Sequence, residues 1–114
     1  MSKIKIKAEL KQNNQTKTYE TNGIFREDTI TYYEEKTLVK IEKKQKDIIL
    51  IRRNDELHLK FIFDKDPMLI ITTKEGIFNI PIEIKQKKWD KSEILLEYKI
   101  EENIRFKLIW EEEK

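Results

Sequence analysis

The chain has no cysteine, two glycines, two prolines and a single histidine. Each scarcity closes off some chemistry. Without thiols there are no disulfides, no thiolate nucleophile and no cysteine-ligated zinc. A cysteine-free chain also suits a reducing compartment. Two isolated glycines build neither a phosphate-cradling loop nor a dinucleotide fingerprint, since both need glycines at fixed spacing. No Pro/Gly/Ser-rich linker marks a boundary, so residues 1–114 are expected to form one domain. No apolar run approaches the roughly 18 residues of a spanning helix. The start, Met1 to Lys7, alternates charge with isoleucine and lacks the apolar stretch of a signal peptide. A cytoplasmic location without membrane contact is the expectation.

An excess of one charge is missing as well. The 24 basic and 22 acidic residues leave a formal net charge of +2. Lys and Glu alternate along the same segments, so no basic face of the kind that holds nucleic acid is expected. Charged residues make up 40% of the chain and hydrophobic ones 38%, a balance that raises the question of disorder. The pattern answers it. The apolar residues are mainly Ile, Leu, Phe and Tyr, and they recur in order.

What is present is a rhythm of two. Ile4, Ile6, Ala8 and Leu10 alternate with Lys or Glu, as in a half-buried strand. Gln12-Asn13-Asn14 reads as a turn, followed by a Thr- and aromatic-rich strand over about residues 15–26. Gly23 inside it suggests a bulge or sharp bend. Glu27-Asp28 turns the chain into Thr29–Tyr33, a β-prone run. Residues 34–46 have helix-like Lys/Glu content but also Thr37, Val39 and Ile41; a strand is the better reading between flanking strands. Ile48–Ile51, the alternating Leu57, Leu59, Phe61 and Phe63, and Met68–Thr73 follow. Phe78, Ile80, Ile82 and Ile84 alternate again, with Pro81 implying an edge or bulge. Lys85–Ser92 reads as a connection. Ile94, Leu96, Tyr98 and Ile100, then Ile104, Phe106, Leu108 and Trp110, complete the pattern, and 111–114 is expected to be a frayed tail.

Short turns make sequence neighbours antiparallel neighbours in space. A long meander with one apolar face hides that face and removes its edges by closing on itself. The expected fold is all-β, one antiparallel meander closed into a barrel of eight or nine strands. A two-sheet sandwich is the competing solution, though its crossings usually need longer connections.

The stretch Thr72-Thr73-Lys74-Glu75-Gly76, the alternating Phe78 to Ile84, and Ile94-Leu95-Leu96-Glu97-Tyr98 resemble the YwiB-like proteins, a bacterial family of unknown function. Tyr33 with Glu34 and Glu35, and Ile51-Arg52, look like earlier landmarks of that family. Arg53-Asn54-Asp55 departs from it, because a glycine turn usually follows the arginine there. The resemblance implies a calycin-like (lipocalin-like) barrel and no particular reaction.

Few residues suggest chemistry. His58 should face away from Leu57 and Leu59, on the outside. The serines, Ser2 and Ser92, lie in an N-terminus and a connection, and nothing assembles them into a triad. Asp64, Asp66, Glu101 and Glu102 read as turn chemistry, without the spaced oxygens and glycine of a calcium loop. No catalytic residues, metal site or cofactor are expected. Lys85, Lys87 and Lys88 beside Trp89, with Lys43, Lys44 and Lys46, could suit single-stranded nucleic acid but read more simply as solvated loops. Of Arg52 and Arg53, one points in and one out. An inward guanidinium needs a carboxylate, with Glu35 as the candidate partner, or serves as an anion anchor. Tyr33 and Tyr98 offer hydroxyls to a ligand or act as core rings with a wet tip. The candidate ligand site is therefore Tyr33, Glu35, Arg52, Thr73 and Tyr98, at the mouth of a barrel able to hold one small molecule unless its large side chains fill it. The alternative is an interaction module binding RNA or another protein through its outer face. Either a monomer or a homodimer is compatible with the sequence.

Overall fold

Alternation of β-branched or aromatic residues with charged ones drives the chain into strands, each with one dry and one wet face. The computed structural model describes residues 1–113. Eleven strands follow one another: β1 (Ser2–Gln12), β2 (Gln15–Arg26), β3 (Thr29–Glu34), β4 (Thr37–Lys44), β5 (Asp47–Arg53), β6 (His58–Phe63), β7 (Met68–Thr73), β8 (Gly76–Pro81), β9 (Glu83–Trp89), β10 (Glu93–Ile100) and β11 (Glu102–Glu112). No helix occurs among the described residues. All eleven belong to one antiparallel sheet, in the order β8-β7-β6-β5-β4-β3-β2-β1-β11-β10-β9. The meander is thus as expected, but with eleven strands instead of eight or nine.

Two differences raise the count. Lys85–Ser92 is not a plain connection: its first part lies in β9, which pairs with β10. Its Lys and Gln content hid it, because an edge strand needs few apolar residues. The second difference is Pro81. It lacks an N–H and ends β8, so the chain from Gly76 to Trp89 becomes two strands on opposite edges of the sheet. Joined through Ile82, they carry the chain from one edge of the sheet to the other and leave the barrel nearly closed, with β8 and β9 not paired to each other. The Ile82 N–H donates to the Pro67 carbonyl at 3.1 Å, extending the β7–β8 ladder by one step, and the Lys87 ammonium donates to the Phe63 carbonyl at 3.1 Å, tying β9 to the end of β6. The β9–β10 register slips between Glu97 and Tyr98, leaving Lys85 as a bulge.

Gly23 marks a change of partner. β2 pairs with β1 along its whole length, but with β3 only from Gly23 to Arg26. A Cβ at Gly23 would lie 2.6 Å from Ile6 Cδ1 and 2.8 Å from the Thr31 carbonyl oxygen. Glycine is required there by close approach of neighbouring strands, and the expected bend is a parting of β2 from β3. Turns carry the left-handed residues that glycine would normally supply. Asn13 and Asn14, then Glu27 and Asp28, adopt positive φ in pairs between strands, the signature of two-residue hairpin turns.

The inward residues form one core: Ile4, Ile6, Ile30, Val39, Ile41, Ile48, Phe63, Ile94, Leu96 and Leu108 are almost completely excluded from solvent, with Tyr98, Phe106 and Trp110 beside them. Phe63 meets Tyr98 edge to face at 5.2 Å between centroids, and Trp89 meets Trp110 at 5.8 Å. Glu111 and Glu112, expected to fray, instead continue β11 against Lys5 and Ile4, and the Glu113 N–H donates to the Lys3 carbonyl. Lys114 lies outside the described residues.

Candidate functional site

The alternation that makes the core also carries charge into it. On β3 the inward positions are Ile30, Tyr32 and Glu34; on β5 they are Ile48, Leu50 and Arg52. Across the sheet, Tyr32, Val39, Arg52, Leu59, Ile71 and Phe78 stand opposite one another in a single inward row. Val39, Leu59 and Ile71 of that row join the core, while Phe78 at the sheet edge stays exposed. Arg52 does not join it, and its guanidinium hydrogen-bonds the Glu34 carboxylate. Lys17 on β2 reaches the other Glu34 oxygen at 3.2 Å. Beside them the Tyr19 and Tyr32 hydroxyls share a hydrogen bond of 2.7 Å.

This cluster exists because β2 and β3 part above Gly23. Where they are no longer paired, side chains of Lys17, Tyr19, Tyr32, Glu34 and Arg52 fill the gap in place of a backbone ladder. It lies at the end of the barrel marked by the turns at 13–14, 35–36 and 54–57. The Glu34 side chain is only 10% exposed and that of Arg52 29%, whereas Lys17 is largely in water.

The electrostatics follow from burial and from this pairing. Burial pushes the Glu34 carboxyl up, but the bonds and charges of Arg52 and Lys17 outweigh it, and the carboxyl is held below its ordinary range. Burial pulls Arg52 down, and Glu34 more than restores it, so the guanidinium holds its proton more firmly. Burial raises Tyr19 and Tyr32, and both hydroxyls stay neutral. Tyr98, buried nearby, is pushed up to about 12 by loss of solvent, with the Arg52 charge pulling weakly the other way. Two cations against one carboxylate leave the cluster with one positive charge in excess.

Of the residues expected from sequence, Arg52 and Tyr98 face the interior together. Tyr33 does not: it is 61% exposed on the outer face, one position out of phase with Tyr32. Glu35 occupies the turn after β3 with φ 56°, exposed, and the partner of Arg52 is Glu34 instead. Thr73 ends β7 and its hydroxyl accepts the Glu75 N–H at 3.1 Å, serving its own turn. Lys17, Tyr19, Tyr32 and Glu34 were missed. The signal was available: Tyr32 and Glu34 continue the period set by Ile30. His58 faces outward as expected, opposite Arg53 and Thr72, with its Nε2 shielded from solvent and unpartnered. Lys87 is not a loop lysine but turns inward, opposite Leu96.

A depression of about 640 Å³ at the same end reaches Tyr98 and Ile104 past a rim of Gln12, Asn13 and Arg105. A wider one of about 960 Å³ lies towards the opposite end, around Phe25, Ser92 and Trp110. The charged groups on its walls, such as Lys7 and Glu20, are solvated and pair with each other, so the inward cluster is the better candidate. Among the described residues no group of three or more His, Asp or Glu gathers as a metal-binding set. Among those residues, too, no helix is long and apolar enough to cross a membrane.

No protein-family model matches the chain, and no curated protein matches it by sequence. In three dimensions it is similar to the ywiB protein from Bacillus subtilis, with a TM-score of 0.64 and 12% identity over 98% of this chain and 91% of that one. The resemblance drawn from Thr72–Gly76, Phe78–Ile84 and Ile94–Tyr98 is therefore met in the architecture, and what the two proteins are shown to share is the barrel fold.

Proposed function

We propose that this protein is a non-catalytic, calycin-like barrel of the cytoplasm that binds a small molecule at the end where Arg52 lies. Its ligand carries one anionic group and an apolar body. The carrying observation is Arg52 itself, a charged residue in an inward row otherwise made of apolar side chains and Tyr32. Desolvating charges is costly, and apolar replacements of buried ion pairs are often more stable. A guanidinium kept in such a place, with Lys17 beside it, suits a carboxylate or phosphate. The half-buried Leu59 and Ile71 next to it in the row suit an apolar body. The outer face supports this choice over an RNA-binding module. Its lysines are matched by acids, as in Lys40–Glu42, Lys85–Glu83 and Lys88–Asp90. The one histidine is on that outer face, away from the cluster, which supports binding without catalysis.

The test is a thermal-shift series with medium-chain carboxylates, organic phosphates and uncharged alcohols of equal length. Saturation at about 100 times Kd is worth roughly 2.7 kcal/mol, a shift of several degrees. The anionic compounds should raise Tm, the alcohols should not, and Arg52→Gln should abolish the response. No shift with any anionic compound, or equal shifts with the alcohols, would overturn the reading.

A further inference from the structure

We propose that β8 is a dimerisation edge, pairing antiparallel with β8 of a second copy of this chain. β8 ends the sheet and its one strand partner is β7. Among the described residues, no backbone hydrogen bond reaches its other side. In a chain that is 40% charged, Gly76–Pro81 carries no charge. Ile77 is 69% exposed and Phe78 53%. An unpaired, uncharged edge with exposed apolar residues is a template for another strand, and proteins normally blunt such edges with lysine, bulges or covering loops.

This molecule does blunt its other edges. β9 carries Glu83, Lys85, Lys87 and Lys88, has its bulge at Lys85, and is tied by Lys87 to the Phe63 carbonyl. The unpaired half of β2 carries Lys17 and Glu20. The contrast within one sheet selects the occupant. Stacking β8 of one copy on β9 of the next would set an uncharged strand against a charged, bulged one, and would build an open filament. Pairing β8 with β8 uses the same uncharged strand twice about a two-fold axis and closes as a dimer. Pro81 limits the pairing at one end, since it has no N–H to give.

Sedimentation equilibrium at micromolar concentration tests this. The expected mass is twice the chain's 14.0 kDa. Ile77→Lys and Asn79→Lys place charge on the edge without touching the core, and each should weaken association at least tenfold with an unchanged circular dichroism spectrum. Ile109→Lys, on the outer face of β11 where the isoleucine is 41% exposed, should leave the dimer intact. A wild-type protein that sediments at its chain mass overturns the proposal. So does a dimer that survives both β8 substitutions, or one dissolved by Ile109→Lys. Ligand binding plays no part in these readouts.

Discussion

Arg52 on β5 hydrogen-bonds Glu34 on β3 across the intervening strand β4, where Val39 sits fully buried in the same inward row. An ion pair thus spans three strands inside an oily barrel, at the point where β2 stops supporting β3. It holds Lys17 and lies against the Tyr19–Tyr32 pair.

Removing one partner should cost more than removing both. Arg52→Met leaves Glu34 with Lys17 alone and should destabilise by about 2–3 kcal/mol. The double variant Arg52→Met with Glu34→Leu should return to within about 1 kcal/mol of wild type, since apolar side chains of similar volume suit the row. Urea unfolding of wild type, the single variants Arg52→Met and Glu34→Leu, and the double variant gives the coupling energy.

Acid should act through Glu34. Its carboxyl is held below the ordinary 4.5, so the folded state favours the ionised form. That stabilisation is complete above about pH 4.5 and is lost as pH falls through the lower folded value. Plotted against pH, Tm of wild type should fall towards that of Glu34→Gln as the solution is acidified below this range. Parallel curves would contradict it.

Gly23→Ala should destabilise by about 1–3 kcal/mol, because the new methyl meets Ile6 Cδ1 and the Thr31 carbonyl below contact distance. Adding Ile6→Val removes one of these two obstacles. The pair should recover part of the loss, as read by thermal unfolding.

Lys87→Met keeps the packed stem and loses the hydrogen bond to the Phe63 carbonyl. The expected cost is about 1 kcal/mol. Hydrogen exchange should quicken at Ile82, which joins β8 to β9 and donates its N–H to the Pro67 carbonyl, while Val39 and Ile41 keep their protection.

Much of this architecture was legible in the two-residue rhythm. It named Ile4, Ile6, Leu96, Phe106 and Leu108 as one face, and all are buried together. It misled where burial is one-sided. Lys85–Trp89 looked like a loop because an edge strand buries little, and because Lys87 reaches inward, where its ammonium meets the Phe63 carbonyl and the Asp47 carboxylate. Phe78 follows the inward phase but lies on an uncovered edge, so phase alone did not bury it. At the site, Arg52 was readable as unusual. Its partner was placed one residue late, at Glu35 in the turn, although Glu34 continues the inward period of Ile30 and Tyr32. The meeting of Lys17 and Tyr19 with Glu34 depends on β2 and β3 parting at Gly23, which no local pattern announces.

The most direct test of the anion anchor is a 15N–1H titration that follows the Arg52 Nε–H and the backbone amides of Glu34, Leu59 and Ile71. Octanoate and octanol serve as matched probes. Saturable shifts at these four positions with octanoate and none with octanol are expected. Unmoved resonances at Arg52, or the same shifts with both compounds, would contradict a charged anchor inside the barrel.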